Sequence, residues 1–559
     1  MISDFVGKIK NHWNNHPFIA SMIVFVFMFG FSSLMYVYSS GDPIVDDHYF
    51  HFKYASLLRN DGLEVVKNFD WIYLSGLANS DARYTVNLHQ ISLIPFTYIN
   101  NWELAIHIAD SFYASIGLAL FYFILRKMNV RYPILWVLAI MSSAYFMSRL
   151  LLGRAFVLII PLLFIELYLI ITKKYKILFF IIIFHVLWHQ STYFMPLVMV
   201  CIAETARYLV EQKMYIKNFI ATVIAIFIGL AFFPGFPGSA FKFINSIMAI
   251  QSNVEVESIS LSGVELQSID FMSRIVNEKI LLALLLFCVT TVIFIYVSEK
   301  RGVLKLKGNE GIWIYSLFIF VIATVFGSIQ LSGRFFDFFV PSIFLLTAIL
   351  STYLLDNKLI KIETSLAKFI KVAIVIFVLF MVFNACVDMY EKANKFDVEP
   401  IKNVASWIEK KSEKRDHVFV DNWSLFTPLF FANSYNSYST GIEPMTLKGY
   451  DESLYWKYYN IFRYNYYCEN KGDCKKEVND IREYLEGKPD SVKKQIEKEN
   501  SKKIINSIKN DFDAKFLVSS STQLTTTILL NKDLVENYQS FKSDKFKGRF
   551  MEFTVFKLK

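Results

Sequence analysis

Two adjacent carboxylates, Asp46 and Asp47, open the stretch Asp46-Asp47-His48-Tyr49-Phe50-His51, shortly after the apolar run Phe18 to Tyr38. Acids where an apolar helix meets water are costly unless they are paired or used. One reading is a general base that takes or polarises the hydrogen of an acceptor group. The other is a helix N-cap, with Asp accepting backbone N–H bonds where a helix starts near His48. A cap does not require two acids after Pro43, which favours the chemical reading. His51, close by, is counted with the binding residues.

Arg149, Arg154 and Arg334 stand at the ends of other apolar runs. Arginine suits a phosphate or pyrophosphate because its planar fork offers paired hydrogen bonds. The alternative for Arg149 and Arg154 is snorkelling to lipid headgroups. Arg334 lies in Gly333-Arg334-Phe335-Phe336-Asp337-Phe338-Phe339-Val340-Pro341, with an acid close behind it. His185 and His189 are four apart, on one helical face, with Trp188 beside them. That spacing can serve a metal, but no Glu lies between them and no third ligand is evident, so packing or hydrogen bonding is favoured. Glu166 lies within an apolar run and Glu204 near the end of one. Glu265, in Ser262-Gly263-Val264-Glu265-Leu266-Gln267, is a lone loop acid and by itself reads as solvated.

The elements that must position these groups are membrane helices. The chain has 559 residues, 54% of them hydrophobic, with mean hydropathy +0.37 and net charge +9. Apolar runs fall near 18–39, 103–125, 132–149, 155–171, 177–188, 191–208, 216–233, 277–297, 312–330, 335–355 and 371–388, about eleven spans at roughly 20 residues each. The fold class expected is therefore a polytopic α-helical membrane protein. With a cytoplasmic N-terminus, Arg126, Lys127, Lys173, Lys174, Lys300 and Arg301 all fall in inside loops, as the positive-inside rule requires. Topology thus accounts for much of the positive charge, and nucleic-acid binding loses its support. Residues 1–388 form the membrane domain, with long external loops at 40–102 and 234–276. Residues 389–559 form an extracytoplasmic α/β domain, with strands at His417 to Val420, Lys515 to Ser519 and Phe550 to Lys557. Cys468 and Cys474, with Gly472 between them, either close a small disulfide loop or remain free thiols.

This arrangement resembles the GT-C superfamily of membrane glycosyltransferases. Asp46-Asp47-His48-Tyr49-Phe50 looks like the start of that family's first external loop, where an Asp is the catalytic or acceptor-binding carboxylate. Asp47 matches the oligosaccharyltransferase catalytic subunits, and Asp46 the acidic pair of aminoarabinose-transferase-like members. Arg334-Phe335 with Pro341 resembles an element whose Arg contacts the carrier's phosphates. Ser262-Gly263-Val264-Glu265 is similar to a Glu-containing loop motif, and Gly441 with Pro444 is expected to shape a turn near the membrane surface. The chain departs from the oligosaccharyltransferases in two places. Asp421-Asn422-Trp423-Ser424 replaces their Trp-Trp-Asp motif, and Ser148 to Arg154 lacks their acidic metal ligands, which counts against a divalent cofactor (Mg or Mn). The resemblance implies an inverting sugar or glycan transfer from a polyprenyl-phosphate or pyrophosphate carrier to a glycan, protein or lipid acceptor at the outer face of the cell membrane. Asp47 and Asp46 would be catalytic, and Arg334, Arg149, Arg154, His51 and Glu265 would bind substrate. A transporter of lipid-linked sugars, or a non-catalytic envelope assembly protein, are the competing classes.

Overall fold

Runs of Leu, Ile, Val and Phe without breakers carry the chain from one helix to the next. The computed structural model describes residues 16–38, 47–64, 69–75, 86–233, 236–238, 270–302, 306, 308–357, 359, 364–393, 397–441, 445–469, 472–543 and 552–559. Its first part comprises α1 (Pro17–Tyr38), α2 (Asp47–Asp61), α3 (Leu88–Leu93), α4 (Trp102–Lys127), α5 (Pro133–Met141), α6 (Ala144–Leu150), α7 (Phe156–Ile171) and α8 (Tyr175–Trp188). It continues with α9 (Met195–Glu211), α10 (Ile216–Ala231), α11 (Phe271–Asn277), α12 (Lys279–Lys300), α13 (Gly308–Gln330), α14 (Phe335–Asp356) and α15 (Thr364–Ala393). Each apolar run read from the sequence coincides with one of these helices, except 132–149, which is divided between α5 and α6. By length and composition, seven of the described helical segments can cross a membrane, or eight if α5 and α6 are one span bent by 90°. That bend has a local cause: the Ser143 side chain accepts from the Phe146 backbone N–H and starts a new helix there.

At the centre, α14 carries Pro341 and an almost wholly buried surface, while α4 packs against α1 and α7. By contrast, α12 and α15 leave most of their apolar side chains exposed, as helices facing hydrocarbon do.

The C-terminal part begins with α16 (Glu399–Lys411), whose apolar face is buried, and then forms a mixed sheet. Its strands are β1 (His417–Val420), β2 (Ser437–Tyr438), β3 (Phe516–Ser519), β4 (Val535–Lys542) and β5 (Glu552–Leu558), in the order β2-β1-β3-β5-β4. β1 runs parallel to β2 and β3, whereas β5 is antiparallel to β3 and β4. Two of the strands were not expected. β2 is only two residues long, and β4 is an edge strand whose exposed Glu536, Asn537, Gln539 and Ser540 give no alternating pattern. The charged stretch after Cys474 is two helices, Lys475–Leu485 and Asp490–Asn510, separated at Gly487 (φ +78°) and Pro489. Cys468 and Cys474 are joined in a disulfide.

The first long loop and the C-terminal sheet share one core. Phe50, Tyr54 and Leu58 of α2, with Phe69, Trp71 and Ile72, pack against Val418, Val420, Phe426, Phe430 and Tyr438. Ile72 pairs with Tyr438 beyond β2, and Tyr438 N–H donates to the Trp71 carbonyl at 2.7 Å. Lys402 bridges the same two regions, 2.6 Å from Glu103 and over the Trp102 ring. α2 is thus pinned beneath the sheet. Gly441 is pressed on Phe426, since a Cβ there would meet the ring Cγ at 2.2 Å. Pro444 lies outside the described residues.

Asp421 is buried at the end of β1 and accepts from Ser519 Oγ, the Ser520 and Ser521 backbone N–H groups and Ser520 Oγ. Burial outweighs these donors and pushes its carboxyl up to about 6 from an ordinary 3.8. The folded protein therefore holds this proton where the unfolded chain has lost it. The stabilisation is complete below pH ~4 and is lost as pH rises through ~6, a change of about 3 kcal/mol. Thermal unfolding of wild type and Asp421→Asn at pH 5 and pH 7 should show a smaller pH-dependent drop in the variant.

Candidate active site

Asp47 is the first residue of α2, where the helix dipole favours an acid. Its carboxylate is also 3.4 Å from the Arg154 guanidinium. The acid is 34% exposed and the arginine 17%, so the pair is open to an incoming group. Asp46 and Glu265, two further candidates, lie outside the described residues.

Arg154 is aimed by the turn before α7. Gly153 there has φ +61°, a conformation that suits glycine. Space demands glycine as well: a Cβ would come 1.9 Å from Asp110 Oδ1 and 3.1 Å from His48 Cβ. The Gly153 carbonyl accepts from His89 Nε2 at 3.2 Å, so that nitrogen carries the ring hydrogen. Burial, with His51 and His189 nearby, holds His89 well below the usual imidazole range and keeps it neutral. His51, one turn along α2 from Asp47, faces the His89 ring at 5.3 Å and lies 3.4 Å from the Gln90 amide. His48 and Asp110 stand 3.9 Å apart behind the turn.

Arg334 is exposed on the turn that opens α14. Its charge bears on the His189 ring, as do those of Arg154, His51 and His185. The structure thus brings Arg334, Arg154 and His51 around one histidine, with Asp47 paired to Arg154. Arg149 has a different engagement. Its Nε and Nη2 donate to Asp337 Oδ1 and Oδ2 at 2.8 and 2.7 Å, and Tyr145 OH donates to Oδ1 at 2.6 Å. Asp337 is therefore a partner of Arg149, and the pair ties α6 to the first turn of α14, next to Arg334.

Of the groups not assigned to the site from sequence, Glu166 and His185 form a fully buried pair at 2.7 Å. Glu204 pairs with buried Arg207 and accepts from Asn218. His89, Gly153, His48 and Asp110 were not singled out; only Asp110, an acid inside the apolar run of α4, carried a signal. Among the described residues, the grouping of donor atoms close enough to share a metal ion is Cys468, Cys474 and Glu477, where both sulfurs are spent on the disulfide.

An apolar cavity of about 490 Å³ lies beside this cluster, lined by Ser92, Phe96, Tyr113, Leu158, Phe184 and Trp188 among others. Tyr113 and Trp188 are the rings against which His89 packs, so His89 separates the apolar space from the polar groups.

No family model matches the sequence, and no curated protein matches it. Among solved structures, the chain is similar to ArnT from Cupriavidus metallidurans bound to undecaprenyl phosphate, with TM-score 0.51 and 10% identity over 96% of this chain and 97% of that one. The apo form of that protein gives TM-score 0.51 and 10% identity over 98% of each chain. The chain has the GT-C fold. It is a multi-pass membrane protein, and at this identity the likeness carries the architecture rather than the residues.

Gly153→Ala should be far more disruptive than Gly62→Ala. Gly62 has φ +64° and nothing within 4 Å of its Cβ position, so it bears only the backbone cost of about 1–2 kcal/mol. At Gly153 the collision with Asp110 adds to that cost. Thermal midpoints of the two variants in detergent check the ranking.

Proposed function

We propose that this protein transfers a sugar or glycan from a polyprenyl-phosphate carrier, or its pyrophosphate form, to an acceptor on the external face, with inversion at the anomeric carbon. The observation that carries this reading is the accessible Asp47–Arg154 pair, set with His51 and Arg334 around one histidine and beside an apolar cavity. The GT-C fold, shared over nearly the whole chain with an ArnT bound to undecaprenyl phosphate, supports the class of donor.

In the reaction proposed, the acceptor's O–H or N–H is oriented by the Asp47 carboxylate. The acceptor atom attacks the anomeric carbon opposite the phosphate. The bond from that carbon to the phosphate oxygen breaks, its electron pair leaves with the carrier, and the acceptor proton passes to Asp47. Asp46 is the alternative carboxylate for this role. Arg154 holds Asp47 in place, and Arg334 meets the charge that builds on the departing phosphate. Arg149 serves by fixing the turn that presents Arg334. The apolar cavity takes the first isoprene units of the carrier, and Glu265 is kept as a substrate-binding residue. The Cys468–Cys474 disulfide and the inside placement of the basic loops accord with an external C-terminal domain and a cytoplasmic N-terminus.

Purified protein, a polyprenyl-phosphate sugar and a mixed acceptor extract test the reading. Asp47→Asn should cut product formation by roughly a hundredfold or more. Arg334→Ala should weaken donor use at undiminished expression. Full turnover by the double variant Asp46→Asn/Asp47→Asn would overturn the assignment of the base.

A further inference from the structure

Beneath the proposed site runs a chain of hydrogen bonds that the reaction scheme has not used. Glu166 Oε1 accepts from His185 Nδ1 at 2.7 Å. His185 Nε2 lies 3.0 Å from Thr192 Oγ1, and Thr192 Oγ1 lies 3.1 Å from His189 Nδ1. Glu166 and His185 are wholly buried and Thr192 nearly so, while His189 is half-buried at the outer end. His189 Nδ1 and Nε2 also lie 3.1 and 3.0 Å from Ser191 Oγ.

A buried carboxylate hydrogen-bonded to a histidine is a weak stabiliser, because desolvation consumes most of what the hydrogen bond returns. The cost is greater here because Glu166 Oε2 is buried without a hydrogen-bond partner among the described residues. A Leu–Phe pair would fill the same space between α7 and α8 more favourably. The chain therefore calls for an explanation beyond packing, and His189 is where it ends.

We propose that His189 is a direct contact of the carrier phosphate, and that Glu166, His185 and Thr192 are positioning residues that hold its ring. The inference rests on the polyprenyl-phosphate reading of the site and adds to it a residue and the chain that places it. Thr192 Oγ1, which lies between the His185 and His189 rings, also donates to the His189 backbone carbonyl at 3.1 Å, so it holds His189 by ring and main chain together. A ring nitrogen held in this way can donate its hydrogen to a phosphate oxygen. The charged and titratable groups facing His189 are Arg334 from the start of α14, Arg154 from the turn before α7, His51 from α2 and His185 from α8. The two arginines suit the same anion.

The test is equilibrium binding of undecaprenyl phosphate to the full-length protein in detergent, with thermal midpoints recorded for every variant. His189→Ala should weaken binding by about tenfold, as the loss of one hydrogen bond to a charged group does. Glu166→Gln and Thr192→Val should each weaken it a few-fold, and Thr192→Ser should keep wild-type affinity. If Glu166→Gln lowers the thermal midpoint while affinity stays wild-type, the positioning role is overturned. If His189→Ala binds as wild type while Arg334→Ala does not, this inference falls and the proposed function stands. Absence of binding by wild type would overturn both.

Discussion

The turn at Gly153-Arg154 is the constraint on which the candidate site depends. It presents three things from two residues: a carbonyl to His89, a guanidinium to Asp47, and bare backbone to Asp110 and His48. A side chain at Gly153 would move Asp110 first, because the gap is smaller than any non-bonded contact. Arg154 could then no longer be delivered to the start of α2. The Asp47–Arg154 pair contributes little stability itself, since an ion pair with this exposure is worth about 0–1 kcal/mol. Its importance is directional: it holds a carboxylate that solvent can still reach, as the proposed reading requires.

The Arg149–Asp337 pair works the other way. Asp337 is 1% exposed and accepts both arms of the guanidinium plus the Tyr145 hydroxyl. Removing Arg149 would strand the buried charge of Asp337, at about 3–5 kcal/mol. The chain thus uses its more buried arginine–aspartate pair to tie α6 to α14 and, on the proposed reading, its more exposed pair where an acid must remain available. On the proposed reading, the same division explains why Arg334, three residues before Asp337, is left at the surface: its turn is already anchored by another residue's ion pair.

Helices and strands were legible where burial imposes a period or a run. Apolar stretches set the membrane helices to within a few residues, and β1, β3 and β5 carry the hydrophobic residues of a covered sheet. β4 was hidden because an edge strand with a solvated face has no pattern to show. Asp47, Arg154 and Arg334 were legible because charges at the ends of apolar runs are expensive and therefore conspicuous. Their mutual arrangement was not, since α2, the turn before α7 and the start of α14 are joined only by tertiary packing. Glu166 was conspicuous for the same reason, but its link to His185 needed two neighbouring helices in register. Gly153 was invisible: a glycine required by its own left-handed turn and by Asp110 and His48, both distant in sequence, leaves no local trace.

The placement of α2 shows what the C-terminal sheet contributes to the candidate site. Asp47 sits on a helix whose apolar residues, Phe50, Tyr54 and Leu58, would lie against lipid headgroups if the helix were alone. Phe426, Phe430 and Tyr438 cover that face, and the Trp71–Tyr438 backbone pairing prevents α2 from sliding along the sheet. The catalytic acid proposed here is therefore fixed from both sides, by Arg154 from the membrane helices and by an aromatic core from the C-terminal region. On the proposed reading, an acid held in this way, with Arg154 and Arg334 close enough to act on His189, needs little rearrangement as charge shifts onto a departing phosphate, and preorganisation of that kind is usually the largest single contribution a protein makes to such a transfer.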